Sequence, residues 1–377
     1  MDWKNIREQF PVTEEYLYLD AAHKSALPLY TTKALENYFR NQQMTGGDKE
    51  EWKKTISDAK ANFGKLVNAD PLEIAFVKNT SEGLNIAANG IPFKPGDNVI
   101  LNNNEHPNNI YCWLNLESKG VEVRWAPTRS GQVSVRDIES LMDKNTRALS
   151  VSSVTYMPGN RNDVKAIGTL CNERGVYLIV DTVQSMGLLN FDVKELGVDM
   201  FATSGHKGLN APHGTGVFFC RKEIIPEIKS YFVARSGLAG HAALQHDSLE
   251  YMLTISDTAN KFEIGNHNFS AITALNESLK VINAIGIQEI EKRILELSGQ
   301  LTEGLQQLGA NVVTPIQDEF RSGIVCFRTK DTLDLYHKLV QKKVITSYRR
   351  DSIRASIGIY NSSEDVNTFL DYVNELS

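Results

Sequence analysis

The chain has 377 residues, of which 41% are hydrophobic and 23% are charged, and its formal net charge is -6 at pH 7. This composition is that of a folded globular protein, and the length fits two domains. The acidic balance argues against a dedicated nucleic-acid binder. The longest apolar runs, such as residues 176–180, have the length of a strand and are too short to cross a membrane.

The N-terminal residues 1–5 lack the apolar segment of a secretory signal. The four cysteines lie apart, without the close pairing that a disulfide framework or a zinc site requires. They are Cys112, Cys171, Cys220 and Cys326. We therefore expect a protein of the reducing cytoplasm that binds no metal, membrane or nucleic acid.

Short β-branched runs alternate with helical patterns over the first two thirds of the chain. Strands are predicted at 73–77, 98–101, 121–125, 148–152, 176–180, 200–203 and 216–220, and helices at about 83–89 and at 164–174. Strands separated by helices of this kind form βαβ units, so an α/β fold with a mainly parallel sheet is expected.

The pattern changes near residue 265. Helices are predicted at 271–285, 286–308, 333–342 and 363–376, and strands at 323–327 and 352–357. The last helix begins with Ser362 and acidic residues, as helix N-termini prefer. We predict a large domain over residues 1–265, including the N-terminal segment, and a smaller C-terminal α+β domain over 266–377, with a long helix joining the two.

The most informative segment pairs an aspartate with a lysine. Asp181 ends the buried strand 176–180, and Lys207 follows it by 26 residues in the run Ser-Gly-His-Lys at 204–207. An aspartate at the carboxyl end of such a strand lies where α/β sheets bind their ligands. Pyridoxal phosphate chemistry needs both groups: lysine forms the Schiff base, and a carboxylate pairs with the pyridinium nitrogen.

At this point the sequence resembles the class V, fold-type I pyridoxal-phosphate enzymes. That group includes cysteine desulfurases, cystine and selenocysteine lyases, and isopenicillin N epimerase-like proteins. The resemblance runs from residues 18–22 (Tyr-Leu-Asp-Ala-Ala) to 353–361, and Ser-Gly-His-Lys with the upstream Asp181-x-x-Gln184 is its most specific part. It implies the fold-type I transferase fold, with a seven-stranded, mainly parallel sheet and a smaller C-terminal domain.

The resemblance also implies roles for individual residues around the cofactor. Lys207 would carry pyridoxal 5'-phosphate, Asp181 would bind its ring nitrogen, and Gln184 would lie near the phenolic oxygen. His106 would stack on the ring. Thr80, Ser81, Ser204 and His206 would hold the phosphate, with Thr80 and Ser81 at a helix start of the kind that binds anions.

Two further residues are assigned by the resemblance. Arg354 matches the arginine that binds the substrate carboxylate, a task suited to a guanidinium fork. Asn266 stands in a segment that reaches the partner's phosphate in relatives, although Asn266 and His267 replace a Thr-Pro pair there. A homodimer with shared active sites is therefore expected.

The chain departs from the desulfurases in one respect. They need a nucleophilic cysteine on a loop before the Arg-Ala-Ser strand, and residues 343–352 contain none. Cys326 lies within an alternating apolar strand, where a thiol is usually buried and inert. Ser153 also stands where desulfurases carry an asparagine. A persulfide mechanism is therefore not expected.

The reaction itself is left open among three outcomes after Lys207 removes the α-proton as a general base. Loss of a β-substituent makes a C–S lyase, which we favour for a cysteine-derived amino acid. Return of the proton on the other face makes an epimerase or racemase, and return at the cofactor carbon makes a class V aminotransferase. A binding protein on the same scaffold is the alternative that is not an enzyme.

The substrate is a small amino acid whose identity the sequence leaves open. Specificity residues are expected in 22–25, in 232–258 and in 348–350, where the family varies. Lys24 and Arg349 or Arg350 add positive charge near the predicted mouth of the site. Two interpretations stay open: an acidic side chain or second carboxylate on the substrate, or solvated surface charges.

Overall fold

The computed structural model describes residues 2–129, 131–240 and 253–377. Its strands are β1 (Leu17–Tyr18), β2 (Ile74–Val77), β3 (Asn98–Asn102), β4 (Glu122–Ala126), β5 (Thr128–Arg129), β6 (Gln132–Val133), β7 (Thr146–Ser152), β8 (Tyr177–Asp181), β9 (Met200–Ser204), β10 (Gly216–Cys220), β11 (Asn311–Val312), β12 (Ile324–Arg328), β13 (Val344–Ile345), β14 (Ser347–Arg349) and β15 (Ser352–Ser356). Its α-helices are α1 (Trp3–Glu8), α2 (Val12–Glu15), α3 (Leu29–Thr45), α4 (Lys49–Val67), α5 (Thr80–Gly90), α6 (Asn108–Leu114), α7 (Val135–Leu141), α8 (Val164–Arg174), α9 (Phe269–Ile285), α10 (Ile287–Gln307), α11 (Thr332–Gln341) and α12 (Ser363–Leu376).

Seven strands form the large sheet in the order β2-β10-β9-β8-β7-β3-β4. The pairs from β9 through β8, β7 and β3 to β4 are parallel, and only β10 runs against its two neighbours. The sheet is therefore mainly parallel, which confirms the predicted fold class. Because β2 and β9 both run against β10, the carboxyl ends of β2, β3, β7, β8 and β9 meet at one edge.

The central strands are buried on both faces, as their near-continuous apolar runs require. In β10, Val217 and Phe219 pack into one core while Phe218 and Cys220 pack into the other. Helix α5 approaches one face closely, since a Cβ at Gly83 would lie 2.7 Å from that of Ala202. This contact brings the N-terminus of α5 to the carboxyl edge of the sheet.

The smaller domain is built on the antiparallel sheet β11-β12-β15-β14. Helices α10, α11 and α12 supply its core through residues such as Leu301, Leu339 and Phe369. Strands β14 and β15 form a hairpin whose register pairs Ser347 with Arg354 and Arg349 with Ser352. The hairpin turns in two residues, Arg350 and Asp351, which have φ values of 46° and 58°.

The N-terminal segment packs on the smaller domain. Strand β1 pairs in parallel with β13, Arg7 forms an ion pair with Asp365 at 2.6 Å, and Ser356 N donates to Leu19 O. This pairing carries residues 20–23 to the space between the two domains. The predicted boundary at residue 265 assigns this N-terminal segment to the large domain. The contacts described above join it to the smaller domain instead.

Most predicted elements agree with the structure within a few residues, and helix 164–174 and strand 216–220 agree at both ends. Helices α3 and α4 were not predicted. Both pack against α9, the long helix expected near the domain junction. The hairpin strand β14 was also missed, because three residues with one apolar side chain give no periodic signal.

Candidate active site

Nine of the ten predicted site residues line one cavity of about 540 Å³ between the carboxyl edge of the large sheet and the β14–β15 hairpin. They are Thr80, Ser81, His106, Asp181, Gln184, Ser204, His206, Lys207 and Arg354. A separate cavity of about 560 Å³ opens beside α8 and is lined by none of the ten. The parallel sheet explains the convergence, since residues distant in sequence follow strands that end at the same edge.

Asp181 is the last residue of β8 and is 3% exposed. Its Oδ1 accepts a hydrogen bond from Val183 N at 3.0 Å. Burial raises its pKa to about 6, and the charge of Glu105 acts in the same direction while Lys207 opposes it. A buried carboxyl that ionises near neutrality is suited to pair with a cationic ring nitrogen.

Lys207 lies in the turn after β9, where its carbonyl accepts from Asn210 N at 2.8 Å. Burial lowers its pKa to about 8, with Arg354 acting in the same direction and Asp181 opposing it. A substantial fraction of the amine is therefore neutral near physiological pH. In that form it is both a nucleophile and a base.

The start of α5 lies at one end of the cavity and carries donors suited to an anion. Its first residues, Thr80 and Ser81, carry N–H groups that have no partner within the helix. Thr80 N donates to Ser204 Oγ at 2.8 Å, and the two hydroxyls are also 2.8 Å apart. This network fixes two hydroxyls beside the helix terminus, as a phosphate site requires.

His206 stands beside this end and stacks on His213 with ring centroids 4.2 Å apart. Burial lowers its pKa to about 4, and the nearby positive charge of Lys207 acts in the same direction. The imidazole is therefore neutral at physiological pH. It can donate one hydrogen bond to a phosphate without adding a charge.

His106 follows β3 and packs edge-on against Tyr156, with centroids 5.1 Å apart. Its Nδ1 accepts from Asn108 N at 3.2 Å, which leaves Nε2 as the protonated nitrogen. Burial lowers its pKa, so this ring is also neutral. A neutral, oriented imidazole on the cavity wall fits the expected ring-stacking position.

Glu105, immediately before His106, is a site residue that the sequence reasoning missed. It is 2% exposed, and its carboxyl accepts from Ser152 N at 2.8 Å, from Asn109 Nδ2 at 2.9 Å and also from the Ser152 hydroxyl. Burial raises its pKa. The group ties the end of β7 to the loop carrying His106 and contributes to the electrostatic environment of Asp181. The sequence feature that could have identified Glu105 is its position immediately before His106, a predicted site residue.

Arg354, on β15, defines the other end of the cavity and is 3% exposed. Its Nη1 donates to Tyr156 O at 2.9 Å, and its Nη2 lies 3.7 Å from Asp20 Oδ1. Asp20 in turn accepts from Ser347 Oγ at 2.8 Å. Burial lowers the pKa of Arg354 and raises that of Asp20. Asp20 carried no predicted role, because nothing in its sequence context shows that β1 brings it to this arginine.

Asn266 is the predicted site residue that the structure does not bring to this cavity. It lines a neighbouring cavity of about 240 Å³ together with Glu82 and His267. Lys78 and Gly214 line both cavities, so the two adjoin. His267 lies 3.4 Å from Glu263, and burial lowers its pKa.

The cysteines lie away from the cavity wall. All four are buried, and burial raises the pKa of Cys112, Cys171 and Cys326 to about 12 and that of Cys220 further still. The two-residue turn of the β14–β15 hairpin holds arginine and aspartate, not a thiol. No described cysteine is thus placed or ionised as a nucleophile.

Two buried polar atoms on the cavity wall have no partner among the described residues. They are Gln184 Oε1 and Arg354 Nε. Such atoms are costly to bury unless a ligand satisfies them. Together with the anion site at α5, the carboxyl of Asp181 and the amine of Lys207, they fit pyridoxal phosphate and an amino-acid carboxylate.

Searches for other kinds of site gave two negative results over 2–129, 131–240 and 253–377. Within these ranges, no three His, Cys, Asp or Glu side chains cluster so that they could hold a metal ion. No helix in the same ranges is long and apolar enough to cross a membrane. Residues 241–252, which belong to the predicted specificity region 232–258, lie outside the described part of the chain.

Comparisons with known proteins agree with this fold. The model of the class V aminotransferase family matches residues 17–369. A protein of Schizosaccharomyces pombe described as uncharacterized is 30% identical over 98% of the chain and 86% of its own length. A probable cysteine desulfurase of Methanothermobacter thermautotrophicus is 29% identical, covering 100% of the chain and 98% of that protein.

Solved structures give the same result. The apo cysteine desulfurase of Thermococcus onnurineus NA1 is 26% identical with a TM-score of 0.90, covering 99% of this chain and 97% of that one. The cystine C-S lyase C-DES in complex with cysteine persulfide has a TM-score of 0.89, covering 98% of this chain and 100% of that one. At 20% identity this second likeness concerns the fold.

Proposed function

Because the chain belongs to the class V aminotransferase family and is a pyridoxal-phosphate-dependent enzyme, we propose that it is an amino-acid lyase that breaks a C–S bond by β-elimination. The substrate is a cysteine-derived amino acid, and no persulfide cysteine takes part. The observation that carries this proposal is the burial of all four thiols together with the β14–β15 turn, which consists of two residues and contains no cysteine.

Residues of the large domain bind the cofactor in this proposal. Lys207 would carry it covalently, and Asp181 would keep the ring nitrogen protonated. Gln184 and His106 contact the ring. Thr80, Ser81, Ser204 and His206 hold the phosphate. When bound, pyridoxal phosphate supplies an electron sink for negative charge at the substrate Cα.

Arg354 and Lys207 then act on the substrate. Arg354 binds the α-carboxylate, and Tyr156 O and Asp20 hold the guanidinium in place. After the substrate amine has displaced Lys207 from the cofactor, the freed Nζ, whose pKa burial lowers to about 8, would remove the Cα proton as a general base. The Cβ–S bond breaks and the thiolate leaves with its electron pair. Overall, R–S–CH2–CH(NH3+)–COO⁻ and water give R–SH, pyruvate and ammonium, with no net oxidation.

Epimerisation is the second candidate reaction, and the position of His106 supports it. Its imidazole is neutral and lines the same cavity as Lys207. A base on each side of Cα is what inversion requires. Transamination would instead return the proton to the cofactor. Both reactions leave the C–S bond intact, so they differ from elimination in their products.

Product analysis under anaerobic conditions separates the reactions. Incubation with S-substituted cysteines should release pyruvate, ammonium and thiol in equal amounts, and Lys207→Ala should release none. Solvent deuterium at an inverted Cα without pyruvate would show epimerisation and contradict the proposal. Cys326→Ala should keep the rate of the unaltered enzyme. A persulfide on any of the four cysteines, detected by mass spectrometry, would contradict the thiol-free route.

We also infer that the enzyme works as a homodimer in the cytoplasm. Asn266 lies outside the cavity of its own chain, where it is available to a partner's phosphate. Exposed apolar side chains lie on adjoining segments near it: Tyr231 (60%), Phe232 (68%), Val233 (50%) and Ile264 (45%). Such a patch is typical of an interface. Four free cysteines are in keeping with a reducing compartment.

A further inference from the structure

The β14–β15 hairpin presents two arginines to the cavity on the same face. Its register pairs Ser347 with Arg354 and Arg349 with Ser352. Alternate residues of a strand share a face, so Arg349 lies on the face of Ser347, and Arg354 lies diagonally across from it. Diagonal neighbours are roughly 7–8 Å apart, within reach of two long side chains. Both arginines line the 540 Å³ cavity.

The guanidinium groups of Arg349 and Arg354 differ in their counterions. Arg354 has Asp20 at 3.7 Å. Arg349 donates only to Tyr348 O, at 3.2 Å, and none of the ion pairs among the described residues includes it. Burial lowers the pKa of Arg354, and the charge of Arg349 acts in the same direction. Two like charges so close together disfavour each other unless an anion lies between or beside them.

Arg350, the next residue, is also exposed, but its guanidinium has two hydrogen-bond partners. Its Nη2 donates to Tyr156 Oη at 2.6 Å and its Nη1 to Asn104 Oδ1 at 3.0 Å. It is thereby held as a link between the two domains. Of Arg349 and Arg350, it is Arg349 whose charge remains available to bind an anion at the cavity.

The cofactor phosphate does not account for this charge. The anion-binding residues Thr80 and Ser204 belong to the large sheet and the start of α5, whereas Arg349 belongs to the hairpin of the smaller domain. Arg354 accounts for the α-carboxylate of an amino acid. A further anionic group on the substrate would give Arg349 its partner.

We propose that the substrate carries a second carboxylate on its side chain, which Arg349 binds while Arg354 binds the α-carboxylate. This inference rests on the proposed lyase function for the bond that breaks. A suitable probe is S-carboxymethylcysteine, whose elimination with water would give pyruvate, ammonium and mercaptoacetate. The Cα–H, Cβ–S and Cα–N bonds break. Sulfur leaves with its electron pair and takes up a proton, Cβ gains a proton to become the methyl group of pyruvate, and nitrogen leaves as ammonium. Water supplies the keto oxygen.

The kinetic test compares this probe with S-carbamoylmethylcysteine, which has nearly the same shape but lacks the charge. The unaltered holoenzyme should prefer the acid by about tenfold or more in kcat/KM. Arg349→Gln should abolish the preference by slowing the acid and not the amide, and Arg349→Lys should retain part of it. Lys330→Gln removes an exposed charge of the same domain away from the cavity and should leave the preference unchanged. Equal kcat/KM values for acid and amide in the unaltered enzyme would overturn the inference.

A binding measurement separates this inference from the proposed reaction. Calorimetry on the holoenzyme should give a tighter Kd for glutarate than for its monoamide glutaramate, and Arg349→Gln should remove the difference. If the difference is present but no S-substituted cysteine is cleaved, the second carboxylate site is supported and the lyase proposal fails. If cleavage occurs and glutarate binds no better than glutaramate, the second carboxylate site is wrong and the lyase proposal stands.

Discussion

At the scale of single residues, Asp181 shows how a functional group can cost stability. Its pKa is about 6, against an ordinary value of 3.8, chiefly because the carboxyl is buried. A carboxyl whose folded-state pKa is raised binds protons more tightly in the native state, so stability falls as pH rises from about 4 to about 6. The proposed pairing of this carboxylate with the cofactor would account for retaining the cost.

Asp181→Asn should therefore stabilise the apoprotein while abolishing activity. Relative to the unaltered protein, the gain should be absent near pH 4, grow through pH 6 and level off above it, at on the order of 3 kcal/mol. Urea unfolding of both proteins across this pH range measures it. Asp58→Asn, which changes an exposed carboxyl on α4, is the control and should show no such pH-dependent gain. A gain that does not change with pH would contradict the argument.

Asp20 is a positioning residue, since it acts through Arg354. Asp20→Asn removes the charge beside a buried guanidinium and loosens its orientation. We expect KM for the amino acid to rise by about tenfold with a smaller change in kcat, because carboxylate binding is weakened more than proton transfer. Steady-state kinetics give this split. Ser347→Ala removes only the hydroxyl bound to Asp20 and should raise KM less. A loss confined to kcat would argue against this role.

At the scale of elements, the β14–β15 hairpin combines turn geometry with function. Arg350 and Asp351 both have positive φ, the conformation of a type I′ turn, which favours Asn-Gly. An arginine there costs about 1 kcal/mol relative to an unstrained position. The hydrogen bonds of Arg350 to Tyr156 and Asn104 keep it in place, so the strain is held where the two domains meet over the cavity.

Arg350→Gly should relieve the strain and remove the link. We expect a roughly five- to tenfold higher KM, with a change in unfolding free energy below about 1 kcal/mol because the two effects oppose each other. Tyr156→Phe, which keeps the ring against His106, should change KM in the same direction. Lys343→Gly is a matched control, since Lys343 also has positive φ but its side chain takes no part in the link to Tyr156 and Asn104. An unchanged KM in both variants would show that the link has no role in substrate binding.

The elements also show what local sequence can and cannot predict. Strands such as β8 and β10 were predicted because they are uninterrupted apolar runs between turn residues. Helix α5 begins three residues before its predicted start, since Asn79 caps it through its side chain. Helices α3 and α4 were missed although the apolar face of α4 is at least as pronounced as that of α5, which was predicted, so periodicity alone does not explain the difference.

At the scale of the whole molecule, a shared active site makes a prediction about mixed dimers. If Asn266 contacts the partner's phosphate, a dimer of one Lys207→Ala subunit and one Asn266→Asp subunit contains one site with both native residues. Each variant alone should have little activity, because Asn266→Asp places a carboxylate against a phosphate. Mixing the two under conditions of subunit exchange should restore activity toward half of the native value. No restoration in a verified mixed dimer would place Asn266 in its own chain's site or in none.

By itself, the sequence determined the fold class and the cofactor, because apolar strand runs and the short motif at Lys207 are local features. It also predicted which residues surround that lysine. Tertiary structure decided which residues support them. Asp20 and Glu105 do not line the cavity, but strand pairing and the packing of loops over the sheet edge bring them against Arg354 and Ser152, which do. Whether Arg349 faces the cavity depends on the register of the hairpin. The sequence of a three-residue strand does not show that register. Local sequence patterns specify helices and strands, whereas contacts between residues far apart in the chain decide which charged side chains lie at the cavity.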